Sequence, residues 1–483
     1  MSIREQLKSL SKESVVYGVG QVGGRAVNLL LVPLLARVLL PQQLGVYELV
    51  MAYMQSALLV LVFGMDGALA RFFYEQADRA ARVRMVSTSF AFRFVLGVTV
   101  GLAVATAATP LAQTFMGDAV YAKYLRIGAL TLPVTLFTLF CNDVLRVTFQ
   151  PWKFVVVNVA QTLFVCTLSI VLVVGKGMGV AGVLYGKLGG DALAALLGLA
   201  LCRHTLRPRL DPAVLRQMLR YGAPLVPVAF AYGVIGAADR WALQRYASLD
   251  AVGVYSIAAK FFSVVTMGVS AFQLAFMPFA FARAREADAP RLFARVFGLY
   301  VAIASLGALV VGLLAPPIIG VLATKDYAAA AAPALWLCFA AVAQGAYYVA
   351  ALGINLSLRN PLLGWAAGGA ALVAFVANLV LVRRIGAEGA AIATFLGYTC
   401  SAILTYVIAQ RVWPLPYRGA RLVALFGIAV AIGAVTVRFA PAGAAGAAWR
   451  ALAAAVFAVI AWRSDVWKDR GSVRHRTVTD SAR

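Results

Sequence analysis

The sequence predicts an all-α polytopic membrane protein with about 14 transmembrane helices. Three observations carry that prediction. Hydrophobic residues fill 62% of the 483 positions and charged residues only 13%, about half the charged share of a soluble domain. Apolar runs near the ~20 residues needed to cross a bilayer recur from end to end. The connections between them are short, and alternate ones are rich in Arg and Lys.

Taken in order, the runs fall at 14–37, 44–67, 86–109, 124–147, 153–174, 179–202, 221–245, 252–280, 294–316, 331–354, 361–382, 389–410, 420–438 and 447–463. The start, MSIREQLKSLSKES, is polar and basic. The first run is too long and too interrupted for a cleavable signal peptide. Basic residues collect at the N-terminus, at 71–84, 203–220, 283–295 and 411–421, and in the tail. By the positive-inside rule both termini are expected to be cytoplasmic. The net charge of +24 therefore reads as topology and contact with anionic membrane lipids, not as nucleic-acid binding. Cys141, Cys166, Cys202, Cys338 and Cys400 all lie in apolar stretches and read as packing residues. Two histidines, His204 and His475, both in basic polar stretches, argue against zinc or histidine-based catalysis. No cofactor and no metal is expected.

An internal repeat organises the chain. Arg37 precedes Gly45-Val46-Tyr47 by eight residues, and Arg245 precedes Gly253-Val254-Tyr255 by the same eight. In each copy a helix leaves the membrane, turns and re-enters on the same side, so the repeats run parallel about an axis along the membrane normal. The expected division is a six-helix lobe at 1–205, a second at 206–412, a terminal helix pair at 413–464 and a basic disordered tail at 465–483. The two pseudo-symmetric lobes would enclose a central cavity.

Charges inside the spans mark the candidate site. A charge at mid-bilayer costs at least roughly 2.5–3.5 kcal/mol, so it faces a watery cavity or a partner. Gln21, Arg25 and Asn28 step by four and three along one face of the first span, a polar stripe that favours a cavity over packing. Pro33 follows, as a gate hinge or a fixed bend. Arg93, Lys187, Arg240 and Lys260 are the other cavity cations expected to hold substrate. Lys187 and Asp191, four apart, read first as a neutralising pair. Arg240 lies near the outer helix end, where snorkelling is the competing explanation, and Lys260 reads equally as cavity-lining or snorkelling. Asp239 and Arg240 are adjacent and so point apart: Asp239 towards a cation or proton, Arg240 towards substrate. Asp191, Asp239 and Asp143 are the ion-coupling candidates, although Asp143 with Arg146 could equally be an interfacial pair. Asn158 and Gln161 add a second polar face. Gly97 to Gly101 and Gly182 to Gly186 read as close helix packing. Gly182 to Lys187 is too short for a phosphate loop and lacks the following Ser or Thr.

The runs RAVNLLLVPLLARVLLPQQLGVYELV, FGMDGALARFFYE and DRWALQRYASLDAVGVYSIAAKF resemble the polysaccharide-transporter flippases, the Wzx-like branch of the multidrug/oligosaccharidyl-lipid/polysaccharide exporter superfamily. The resemblance implies two six-helix lobes, alternating access and movement of undecaprenyl-pyrophosphate-linked oligosaccharide from the cytoplasmic to the periplasmic leaflet. Its implied partners are that lipid-linked oligosaccharide and the polymerase and other polysaccharide-assembly proteins. It transfers no catalytic residue, and a transporter rather than an enzyme is expected. The alternatives are a cation-coupled multidrug exporter, which would favour an acidic cavity, and a murein lipid precursor flippase. A polytopic glycosyltransferase would need a long extramembrane loop, and no loop here is long enough.

Overall fold

Lipid offers no hydrogen-bond partners, so a spanning backbone must satisfy itself, and the long apolar runs among the described residues are helical. The computed structural model describes residues 35–76, 78–207, 210–223, 226–284, 286, 288–357, 361–416, 419–441 and 443–464. The first half contains α1 (Pro41–Leu61), α2 (Met65–Glu75), α3 (Arg79–Thr106), α4 (Ala108–Met116), α5 (Ala122–Val147), α6 (Pro151–Ile170), α7 (Gly179–Cys202) and the short α8 (Pro212–Gly222). The second contains α9 (Val226–Tyr246), α10 (Leu249–Arg283), α11 (Ala289–Leu322), α12 (Ala331–Ala350), α13 (Leu352–Leu356), α14 (Pro361–Val412), α15 (Gly419–Phe439) and α16 (Gly443–Arg463).

Eleven helical segments among the described residues are long and apolar enough to cross a membrane, and the chain is a multi-pass membrane protein. Three features separate eleven from the expected fourteen. The first span lies outside the described residues. The helix α9 is not among the eleven. The long α14 counts once, yet its helical backbone breaks at Ile385 and Gly386, where Gly386 takes φ 54°. Beyond the break the chain runs back on itself: Gly389 abuts the Leu381 carbonyl, Gly397 abuts Ala374 and Gly369 abuts Leu404. Those pairings describe an antiparallel helical hairpin.

Burial separates inner helices from outer ones. The segment containing α12 is 78% buried over its most apolar window, whereas that of α14 is 22%. Apolar side chains such as Trp365, Leu372 and Val376 of α14 point outward, as expected where lipid is the solvent. One large core joins α9 to α16, and Tyr47 of α1 packs against it as well as against the first-half core under α1 and α5. A further core gathers α2, α3, α5, α6 and α7. Residues 206–222, which the sequence assigns to the second lobe, pack on this first-half core through Leu206, Val214, Met218 and Leu219.

The repeated Gly-Val-Tyr segments meet directly. A Cβ on Gly45 would lie 2.0 Å from the Leu249 carbonyl oxygen, and a Cβ on Gly253 would lie 2.0 Å from that of Pro41. Each glycine therefore receives the carbonyl four residues before the other, and α1 crosses α10 by backbone contact. Nearby, the Arg37 guanidinium donates to the Val321 carbonyl at 2.6 Å and the Tyr327 hydroxyl to the Leu39 carbonyl at 2.9 Å. These contacts fasten the start of α1 to the second half.

Candidate functional site

Among the described residues, four polar clusters lie within the helices. The first surrounds Asp191 of α7. Lys187, one turn earlier, donates to its Oδ1 at 2.6 Å, as the four-residue spacing implies. Gln161 of α6 donates to the same oxygen at 2.6 Å, Thr135 of α5 donates to Oδ2, and Thr138 donates to the Asp191 carbonyl at 3.1 Å. Three helices thus converge on one carboxylate, whose charge Lys187 already matches.

The second cluster corrects an expectation. Arg93 of α3 does not line a cavity: only 1% of its side chain is exposed. Its Nη1 donates to Asp143 Oδ2 at 2.8 Å, and its guanidinium lies 5.8 Å from the Phe140 ring centroid. Arg146 approaches the other Asp143 oxygen at 3.9 Å. Asp143 is therefore the counter-ion of a buried arginine, which leaves it no free charge for ion coupling. Immediately before Asp143, Asn142 exchanges reciprocal hydrogen bonds with Asn158 at 3.4 and 3.1 Å, tying α5 to α6.

The third cluster sits between the halves of the molecule. Lys260 of α10 donates to Glu48 of α1 at 3.0 Å, and Arg240 of α9 stands 3.7 Å from the other Glu48 oxygen. Two cations share one carboxylate, leaving a net positive charge. Lys260 is 32% exposed and Arg240 21%. Lys260 also lines an apolar groove of about 250 Å³ with Ile257, Val264, Val311 and Leu314. Sequence reading missed Glu48. The available signal was its place three residues after Gly45, on the helix face that carries the repeated glycine.

The fourth cluster surrounds Asp239, whose side chain diverges from Arg240 as their adjacency requires. The Tyr255 hydroxyl donates to Asp239 Oδ2 at 2.7 Å and Thr394 to the same oxygen at 3.0 Å, while Asn378 donates to Oδ1 at 2.8 Å. Asn378 and Thr394 come from the two arms of α14, so the break at Ile385–Gly386 is what brings both to one carboxylate. Asn378 Oδ1 is buried without a hydrogen-bond partner. One carboxylate among neutral oxygen-bearing side chains suits a hard cation or a proton. Among the described residues no group of three or more His, Cys, Asp or Glu forms a metal set. Asn378 and Thr394 were also missed, because single polar residues in separate apolar spans carry no periodic signal.

Among the described residues, the expected cations therefore do not form one unpaired basic set. Arg93 and Lys187 are each matched by a carboxylate inside the first half, and only Arg240 with Lys260 exceeds its counter-charge. Gln21, Arg25 and Asn28 lie outside the described residues. The five cysteines form no disulfide among the described residues, and Cys141, Cys202 and Cys338 are buried.

The sequence profile of a family described as "Polysaccharide biosynthesis protein" matches residues 10–285. Among solved structures the chain is similar to the lipid II flippase MurJ in an inward closed conformation, with TM-score 0.74 and 12% identity over 93% of this chain and 99% of that one. It is also similar to a multidrug resistance MATE family transporter of the MOP superfamily in an outward-facing conformation, with TM-score 0.58 and 16% identity over 83% and 95%. A third likeness is to the Vibrio cholerae MATE transporter VcmN in its bent form, with TM-score 0.53 and 12% identity over 84% and 96%. At these identities the likeness is one of fold. No curated protein sequence matches the chain.

Proposed function

The chain belongs to the polysaccharide biosynthesis protein family of transporters, and from that premise we propose that it is a flippase for a polyprenyl-diphosphate-linked oligosaccharide. In this reading it carries undecaprenyl-pyrophosphate-linked repeat units from the cytoplasmic to the periplasmic leaflet for O-antigen or exopolysaccharide assembly. Fourteen crossings form two six-helix lobes and a terminal pair, both termini are cytoplasmic, and the lobes alternate about the α1–α10 seam. A polymerase and other assembly proteins receive the product.

The observation that carries the reading is the positive excess at Arg240 and Lys260, on the boundary between the halves and beside an apolar groove. A diphosphate head needs cations in a low-dielectric site, and its isoprenoid tail needs a path that never leaves lipid. A cationic drug needs the opposite charge, which disfavours a multidrug exporter. Arg25, on its polar stripe, remains the first-span contribution to the same site.

The test is export of surface polysaccharide in cells lacking the chromosomal copy. Arg25→Ala, Arg240→Gln and Lys260→Gln are expected to insert normally and lose at least about tenfold in export, the loss of one charge-assisted contact. Arg25→Lys should retain part of the activity. Full export by all three neutral variants would refute the reading. A second reading, a murein lipid precursor flippase, is favoured by the TM-score of 0.74 to MurJ. Depletion distinguishes the two: lysis points to the murein precursor, and loss of surface polysaccharide in intact cells to the oligosaccharide.

Energy for transport enters, in this proposal, at Asp239. In proteoliposomes, wild-type flipping is expected to rise with an imposed sodium or proton gradient. Asp239→Asn should leave a slow, gradient-independent rate. A variant that still responded to the gradient would remove Asp239 from coupling.

A further inference from the structure

We propose that Glu48 is an internal counter-ion occupying the cargo site, displaced when the diphosphate binds, so that binding itself loosens the closed seam between the two halves. The proposal rests on the reading of Arg240 and Lys260 as headgroup ligands and adds a residue with the opposite charge to that site.

The geometry is that of a place-holder. The cations come from α9 and α10 in one half, and the carboxylate comes from α1 in the other. Glu48 is less exposed than either partner, at 11% against 21% and 32%, so an incoming anion reaches the cations from their open side. Arg240 stands at 3.7 Å, beyond ordinary hydrogen-bond length, and its Nε is buried without a partner. The guanidinium thus keeps donors that Glu48 does not use. A diphosphate diester carries one negative charge per phosphate and can match both cations, whereas Glu48 matches one. Exchange therefore improves the charge balance at the cationic side and frees Glu48 for hydration.

The same exchange has a mechanical consequence. Among the described residues, the Glu48 contacts are the only ion pairs that join the two halves. Glu48 lies three residues, ~4.5 Å along the helix, from Gly45 and the backbone seam. Losing its partners removes an electrostatic tie beside that seam. Arg240 also lies 5.9 Å from the ring of Tyr255, whose hydroxyl holds Asp239, so the tie and the candidate ion site share a side chain.

The experiment uses the full chain purified into lipid nanodiscs, with farnesyl diphosphate as the probe. Glu48→Gln keeps the side-chain shape and removes the competing charge. It is expected to bind the probe about tenfold tighter than wild type while exporting polysaccharide more slowly, a split that a purely structural role would not give. Arg240→Gln should bind more weakly. Independently of the variant's folding, spin labels on Gln42 and Asp250, which flank a pocket at the start of α1 and α10, should move apart when the probe is added to otherwise wild-type protein. Wild-type binding that depends on Arg240, with Glu48→Gln no tighter and the label distance unmoved, would overturn the counter-ion role and leave the flippase reading intact. No binding by either protein would overturn both.

Discussion

Gly253→Ala is expected to prevent the α1–α10 seam from closing and to cost most of the export activity. The added Cβ would lie 2.0 Å from the Pro41 carbonyl oxygen and 2.7 Å from its carbon. Both atoms belong to backbone, which cannot rotate away as a side-chain tip can. The helices must part by at least about 1 Å, and overpacking of this kind costs typically ~1–3 kcal/mol. Two kcal/mol shifts a two-state balance by about 30-fold, enough to empty the closed state if alternating access leaves it only slightly favoured. Gly45→Ala should do the same, since its Cβ meets the Leu249 carbonyl at the same distance. Gly307→Ala in α11 is the control: nothing lies within 4 Å of its Cβ position, and alanine is the better helix former. The measurements are polysaccharide export and the distance between labels on Gln42 and Asp250. Wild-type export by Gly253→Ala with an unchanged distance would mean that the seam does not limit transport.

That seam was half legible in the sequence. The matched spacing from arginine to Gly-Val-Tyr shows that two segments are related, but not that they touch. Contact follows only when α1 and α10 cross, which is a property of the assembled helices. The candidate site divides in the same way. Lys187 with Asp191 could be paired from their spacing because one helix turn joins them. Arg93 could not: its counter-ion Asp143 sits on another helix, so a buried arginine looked identical to a cavity-lining one. Glu48 went unseen for the reverse reason, as a lone carboxylate whose partners Arg240 and Lys260 are nearly two hundred positions or more away. The hairpin in α14 was legible as two apolar runs separated by Arg383, Arg384 and Gly386. The use of its two arms to hold Asp239 through Asn378 and Thr394 was not.

Asp143→Ala is expected to be the most destabilising single change inside the first half. Arg93 would then keep its charge at 1% exposure with no carboxylate in contact, while its Nε and Nη2 already lack partners. Breaking a buried pair from one side costs roughly 3–5 kcal/mol. Removing the other side should cost less. In Arg93→Met the Asp143 carboxylate is 13% exposed and still has Arg146 within 3.9 Å, and methionine refills most of the space beside Phe140. The double variant Arg93→Met/Asp143→Leu should recover most of the stability, because apolar replacements of a buried pair are often neutral or better. Thermal unfolding in detergent gives the order: Asp143→Ala lowest, Arg93→Met intermediate, the double variant near wild type. An Asp143→Ala protein as stable as wild type would mean that another group or water neutralises Arg93. Export by the double variant then decides what the arginine is for. A stable double variant that still exports makes Arg93 and Asp143 a structural tie between α3 and α5, and places cargo recognition with Arg240, Lys260 and the first span. A stable double variant that fails to export would return Arg93 to the transport path despite its burial.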